Sequence, residues 1–262
     1  MRVFLATLLL LAVPVHAQGT AQAEAIEQLK QRKIERFFAK IEADGTLDAA
    51  LKERLLRLKE GALLGGEYGC IHQALLERYP EYKRADTLLL DERYAAAAER
   101  FETLRLSTDE YLKAYATFRL GLAEMNREHF EQAIPLFRDM LNDWGRFVGC
   151  DVEAAFYLAV SLGQAREKEE ALVAAQRFLD DYPDAPERYR MAMEQMKNEL
   201  LREWESPLYD LAGRMNEVAR RIDNGDTGEE TRGRQGEIVD IIDELIRRAE
   251  QQEGNQGQGG GQ

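Results

Sequence analysis

Histidine is nearly missing from this chain: three in 262 residues, His16, His72 and His129, and none stands in HExxH spacing. A metal centre built on imidazole is therefore not expected, and any metal would have to rely on carboxylates. Serine is as scarce, with only Ser107, Ser161 and Ser206, none of them in GxSxG, and no GxxxxGK[ST] occurs. The nucleophile elbow and the phosphate-binding P-loop are thereby excluded. The glycine-rich "LLGGEYGC" follows a helical stretch rather than a strand, so it is not read as a phosphate loop. The acidic turn "DNGDTGEE" lacks the alternating ligand order of a calcium loop and reads as solvated. Runs of β-branched residues alternating with polar ones are also missing, so no sheet is predicted.

Positive charge is in short supply: 35 Lys and Arg stand against 48 Asp and Glu, a formal net charge of -13. An acidic chain without a basic stripe repels nucleic acid and anionic lipid head groups, and neither is an expected partner. Long apolar runs are limited to the start. Arg2, the run "FLATLLLLAV", Pro14 and the small residues Val15 and Ala17 have the order of a signal peptide over residues 1–17, cleaved to leave Gln18 first. The alternative, an uncleaved anchor, is disfavoured because a spanning helix needs roughly 20 apolar residues. The protein is thus expected to be exported, to the periplasm or beyond it, without direct membrane insertion after cleavage. The two cysteines, Cys70 and Cys150, could pair in an oxidising compartment; two free thiols are the alternative.

What the chain does contain is helix-forming residues, with Ala, Leu, Glu and Arg dominating, and an all-α fold follows. In "REHFEQAIPLFRDML" an aromatic, a small residue and a second aromatic stand at Phe130, Ala133 and Phe137, behind Leu120 and Gly121. The spacing recurs as Tyr94, Ala97 and Phe101, and more weakly as Lys168, Ala171 and Ala175, behind Leu158 and ahead of Tyr182-Pro183. The central alanines are 36 and 38 residues apart. Small residues at these positions allow helix backbones to approach closely, while Phe101 and Phe137 fill the space against the next unit. This pattern resembles the tetratricopeptide repeat, a helix-turn-helix unit that stacks into a solenoid. It departs from it at Thr117 and Ala155, where the family has tryptophan, and at Glu124 and Leu162, where it has tyrosine. An ordinary helical core is the competing explanation. Pro135 falls inside a predicted helix and removes one backbone bond.

The resulting layout is a TPR-like helical solenoid with flanking helical segments. Residues 18–79 form an N-terminal helical segment, a degenerate repeat or cap, with Ile26, Leu29, Phe37, Phe38 and Ile41 on one side of a helix ending near Gly45 and a second helix over 47–60. The repeats occupy 80–200. A C-terminal helical hairpin spans 206–252, opened by Ser206-Pro207, seamed by Leu208, Leu211, Met215, Val218 and Ile222, and resumed through a Thr227–Glu230 capping box. The Gly/Gln tail, 253–262, is predicted to be disordered.

The resemblance implies a non-catalytic scaffold or adaptor that binds another protein in the solenoid groove, with no cofactor. By analogy with the family, whose first helices face the groove, Lys113, Thr117, Glu124 and Tyr157 are the candidate groove residues. The hairpin is read as a cap, a partner-docking element or a means of self-association. Alternatives are an accessory subunit of an envelope assembly, division or energised-transport complex, and a self-assembling structural protein. A wall-polymer hydrolase using acid pairs such as Glu169-Glu170 or Asp180-Asp181 is a weaker one, because such pairs on a charged helical chain are ordinarily solvated surface.

Overall fold

A computed structural model describes residues 15–65, 69–145 and 148–257. Most of the expected signal peptide, residues 1–14, and the last five residues of the tail lie outside the described part. Among the described residues there is no strand and there are twelve α-helices: α1 Val15–Ala43, α2 Ala49–Gly65, α3 Gly69–Arg78, α4 Pro80–Leu90, α5 Tyr94–Leu104, α6 Glu110–Asn126, α7 Phe130–Asp139, α8 Asp151–Gln164, α9 Lys168–Asp181, α10 Glu187–Glu205, α11 Pro207–Asp223 and α12 Glu229–Gly257. The protein is all-α. No helix among these residues is long and apolar enough to cross a membrane.

Local sequence accounts for most of the boundaries. Asp48 accepts from the Leu51 amide at 2.9 Å at the start of α2. Asp109 accepts from the amides of Tyr111 and Leu112 at the start of α6. Each such cap contributes about 1 kcal/mol. Pro80 and Pro207 open α4 and α11, where a missing N–H costs nothing. Pro135 lies inside α7, which runs on into a π-helical turn at Met140–Trp144. Two predicted details differ. Asp226, rather than Thr227, bonds the Gly228 amide ahead of α12, at 3.3 Å, and α12 continues to Gly257, into the segment expected to be disordered.

Three turns are built alike. Glu92, Glu128 and Arg166 have φ of 59°, 60° and 66°, the left-handed region that non-glycine residues seldom enter. Beside each, the following residue's amide reaches back five positions: Arg93 to the Leu88 carbonyl, His129 to Glu124 and Glu167 to Leu162, all at 2.9 Å. This closure satisfies carbonyls that the ends of α4, α6 and α8 would otherwise leave bare. Each turn residue stands five positions before Ala97, Ala133 or Ala171, all fully buried.

Helices pack chiefly on their chain neighbours, with weaker contact two elements along, such as α4 on α6, α6 on α8 and α8 on α10. The main core runs from Ile34 in α1 to Ala154 in α8. Two smaller clusters, around Leu162 and Ala171 and around Ala175 and Phe178, carry it to α10. Aromatic pairs recur at matching places: Tyr82 with Phe101 at 5.9 Å, Phe118 with Phe137 at 6.1 Å, and Phe156 with Phe178 at 6.0 Å. In the last pair Phe178 takes over from Ala175 one turn later.

Two elements close the edges. α1 crosses the starts of successive helices, with Lys40 on Glu110 at 2.6 Å, Lys33 on Asp151 at 2.9 Å and Lys30 on Asp184 at 3.3 Å. Phe37 packs edge-on against Tyr111. At the opposite edge, α11 lies on two of the left-handed turns, those at Glu128 and Arg166. Arg166 joins Asp210 at 2.6 Å and Glu203 at 2.7 Å, Arg220 reaches Glu128 at 3.2 Å, and Arg221 reaches Glu131 at 2.6 Å.

Candidate functional site

The four groove candidates do not form an open groove. Thr117 is 1% exposed and its hydroxyl donates to the Lys113 carbonyl. Lys113 is half-buried, its ammonium 5.8 Å from the centre of the Trp144 ring. Glu124 is held in its own turn by Arg127 at 2.9 Å and His129 at 2.8 Å. Tyr157 is stacked on Phe137. The physical reason is that α6 is the middle of the packing: apart from Asn126 it has no exposed residue. Thr117, Lys113 and Tyr157 are thus packed among neighbouring side chains, while Glu124 borders a cleft between α5 and α7.

Of the two readings of the cysteines, the structure has the free thiols. Cys70 and Cys150 are both free, the first half-buried and the second buried. Burial pushes the Cys70 thiol up to about 11 and the Cys150 thiol higher than its ordinary range. Neither is an activated nucleophile.

One polar cluster lies inside. Asp86, 4% exposed, faces Arg119 Nε at 3.2 Å and His72 Nε2 at 3.4 Å, while His72 Nδ1 meets the Tyr82 hydroxyl at 3.0 Å. Burial opposes the Asp86 charge, but the His72 hydrogen bond and the Arg119 guanidinium hold its carboxyl below 3.8. The cluster ties α3 and α4 to α6. With Tyr82 fully buried and Asp86 nearly so, it fixes packing rather than addressing a substrate. Among the described residues no group of three or more His, Cys, Asp or Glu side chains is placed to hold a metal ion.

An opening does exist on another face, between α7 with its π-helical turn and α9. This cleft measures about 640 Å³ and is floored by Ala155, Leu158 and Leu162 of α8 and walled by Leu141, Val173, Ala174, Phe178 and Tyr182. A second cleft of about 580 Å³ lies between α5 and α7, over Leu120 and Glu124 of α6. The register set by the three left-handed turns makes the two clefts equivalent, one unit apart. Across that shift Arg105 is replaced by Leu141, Glu124 by Leu162 and Pro135 by Val173, while Glu102 and Asp139 give way to Arg138 and Arg177. Two of these exchanges, Arg105 to Leu141 and Glu124 to Leu162, turn a charged position apolar. Val173 is 62% exposed, an apolar side chain left at the mouth. At the rim Arg138 bonds Glu170 across the cleft, and Arg177 makes no ion pair among the described residues.

Sequence reading passed over this cleft because each residue is unremarkable alone. The signal was available: superposing the copies on Ala97, Ala133 and Ala171 exposes the exchanges of Arg105 for Leu141 and Glu124 for Leu162. Compared with known proteins, the chain matches no family model, no curated protein and no solved structure. Its own geometry is what defines it: among the described residues, an all-α chain with a turn closure that recurs three times and an opening between α7 and α9.

Proposed function

We propose that this protein is an exported, non-catalytic adaptor of the tetratricopeptide type, whose stacked helix pairs hold an apolar segment of another protein in the α7–α9 cleft. The observation that carries the reading is the α7–α9 cleft itself, where Leu141 and Leu162 stand in place of Arg105 and Glu124 of the neighbouring cleft and Val173 is exposed at the mouth. Exposed apolar side chains around a concavity of this size are characteristic of a binding site. The recurrence of the turn at Glu92, Glu128 and Arg166 supports a repeat origin, and the leader-like residues 1–17 support export to the periplasm. The absence from the sequence of nucleophile and phosphate motifs supports a role in binding.

The test is site-specific photocross-linking in cells, with a photoreactive residue at position 173 in one strain and at position 132, exposed on the rim of the α5–α7 cleft, in another. A defined adduct from position 173 and none from 132 is the expected result. Val173→Asp should weaken that complex at least tenfold, about 1.4 kcal/mol, with no loss of thermal stability because the side chain is exposed. No adduct at 173, or equal adducts at both positions, sinks the proposal.

A further inference from the structure

The C-terminal hairpin is mounted with its charged side inward. Arg214, Glu217 and Arg221 of α11 pair with Glu237, Arg234 and Glu230 of α12, so these residues mark one flank shared by both helices. The same side carries the contacts to the rest of the chain: Asp210 to Arg166 and Lys168, Arg221 to Glu131, and Asn224 to Glu128. Val218 and Ile238 are buried between the helices. On an ideal helix Leu208, Met215 and Ile222 fall roughly 40 to 80° beyond Val218, away from the charged flank. They are spaced by seven residues and are 67%, 51% and 42% exposed. On α12, Val239 and Ile246, again seven apart and 55% and 52% exposed, lie beyond Ile238 in the same sense. α11 thus turns an apolar stripe to solvent along its length, and α12 widens it beside Leu208.

We propose that this face is covered by the hairpin of a second copy of the chain, forming a four-helix bundle. Three features single out a second copy. Apolar residues every seventh position on both helices are the register that knobs-into-holes packing between equivalent helices requires. The face suffices: α11, of 17 residues, is about 25 Å long, and two adjacent helices span about 20 Å, which gives roughly 1,000 Å² over both copies, the size at which specific interfaces begin. The rim is self-complementary. A dyad through Met215, in the plane of the face and across the helices, sets Leu208 against Ile222 of the other copy and Met215 against itself. It also brings Arg232 near the turn of α12 alongside Asp243 of the other copy's α12; both are exposed and neither has an ion-pair partner among the described residues.

Sedimentation velocity on the purified full-length protein over a concentration series tests this. A dimer is expected, with Met215→Lys raising the dissociation constant at least tenfold while leaving the melting temperature of the monomer unchanged. Arg232→Glu should also weaken association, and Arg232→Glu with Asp243→Arg should restore it. A monomer at every concentration overturns the proposal. So does a dimer indifferent to Met215→Lys, which places the interface elsewhere, or a hairpin face found occupied by a different protein in cross-linked complexes.

Discussion

A Cβ placed on Gly121 would lie 2.7 Å from Cε1 of Phe137. The α6 backbone therefore touches the face of a ring that is fully buried and stacked on Tyr157. Gly121→Ala forces that ring or the helix aside and should cost about 1–3 kcal/mol, the usual price of overpacking. Urea unfolding monitored by circular dichroism would show it as a lowered midpoint with an unchanged slope. The equivalent positions already carry Ala85 and Ala159, both fully buried.

Glu92 sits at φ 59° in an exposed turn and makes no ion pair among the described residues. Relief of a left-handed residue is worth roughly 1 kcal/mol, offset in part by the added freedom of glycine when unfolded. Glu92→Gly should leave stability unchanged or raise it slightly, and Glu92→Val should lower it by more than about 1 kcal/mol because of its β-branch. Thermal melts of the two variants, compared with the parent, decide the matter.

Asp86 is held below its ordinary 3.8 by His72 and Arg119. Its folded-state pKa is depressed, so the stability it contributes is present above 3.8 and is lost as pH falls through the folded value. Asp86→Asn should therefore flatten the acid limb of the stability profile. At neutral pH, Asp86→Ala should cost about 3–5 kcal/mol, since it strands the Arg119 charge in the interior. Asp151 and Glu153 run the other way. Burial raises both, so their contribution is full below the ordinary carboxylate range and declines as pH rises through their folded values.

Arg221 is 14% exposed and joins Glu131, Glu217, Asp226 and Glu230. It links α11 both to α12 and to α7. Single exposed pairs are worth about 0.2–1 kcal/mol, but a shared cation loses several at once. In Arg221→Ala, amide exchange should rise through α11 and α12 while α6 and α8 keep their protection. Raising the salt concentration of the parent should act in the same direction.

Both thiols are free. Titration with a thiol reagent after unfolding without reductant should find two per chain. In the native protein Cys70 should react slowly at pH 8, because burial lifts its pKa to about 11 and leaves little thiolate.

The helices were legible in the sequence because their causes are local. Leu, Ala and Glu at helical spacing, Asp109 and Asp48 at starts, and Pro80 and Pro207 at first positions act within a turn of where they stand. The 36- and 38-residue spacing of Ala97, Ala133 and Ala171 was legible for a similar reason, since each small residue answers to a neighbour in its own unit. What the sequence could not decide was which faces stay open. Thr117 and Lys113 are covered because α6 sits mid-core, and the polar rim of α1 finds Glu110, Asp151 and Asp184 across separations of 70 to 154 residues. The opening between α7 and α9, and the outward face of Leu208, Met215 and Ile222, likewise depend on where distant helices come to rest. Local propensity determined the elements and their repeat; long-range packing, which trades the burial of one face against the exposure of another, decided which surfaces remain open to solvent.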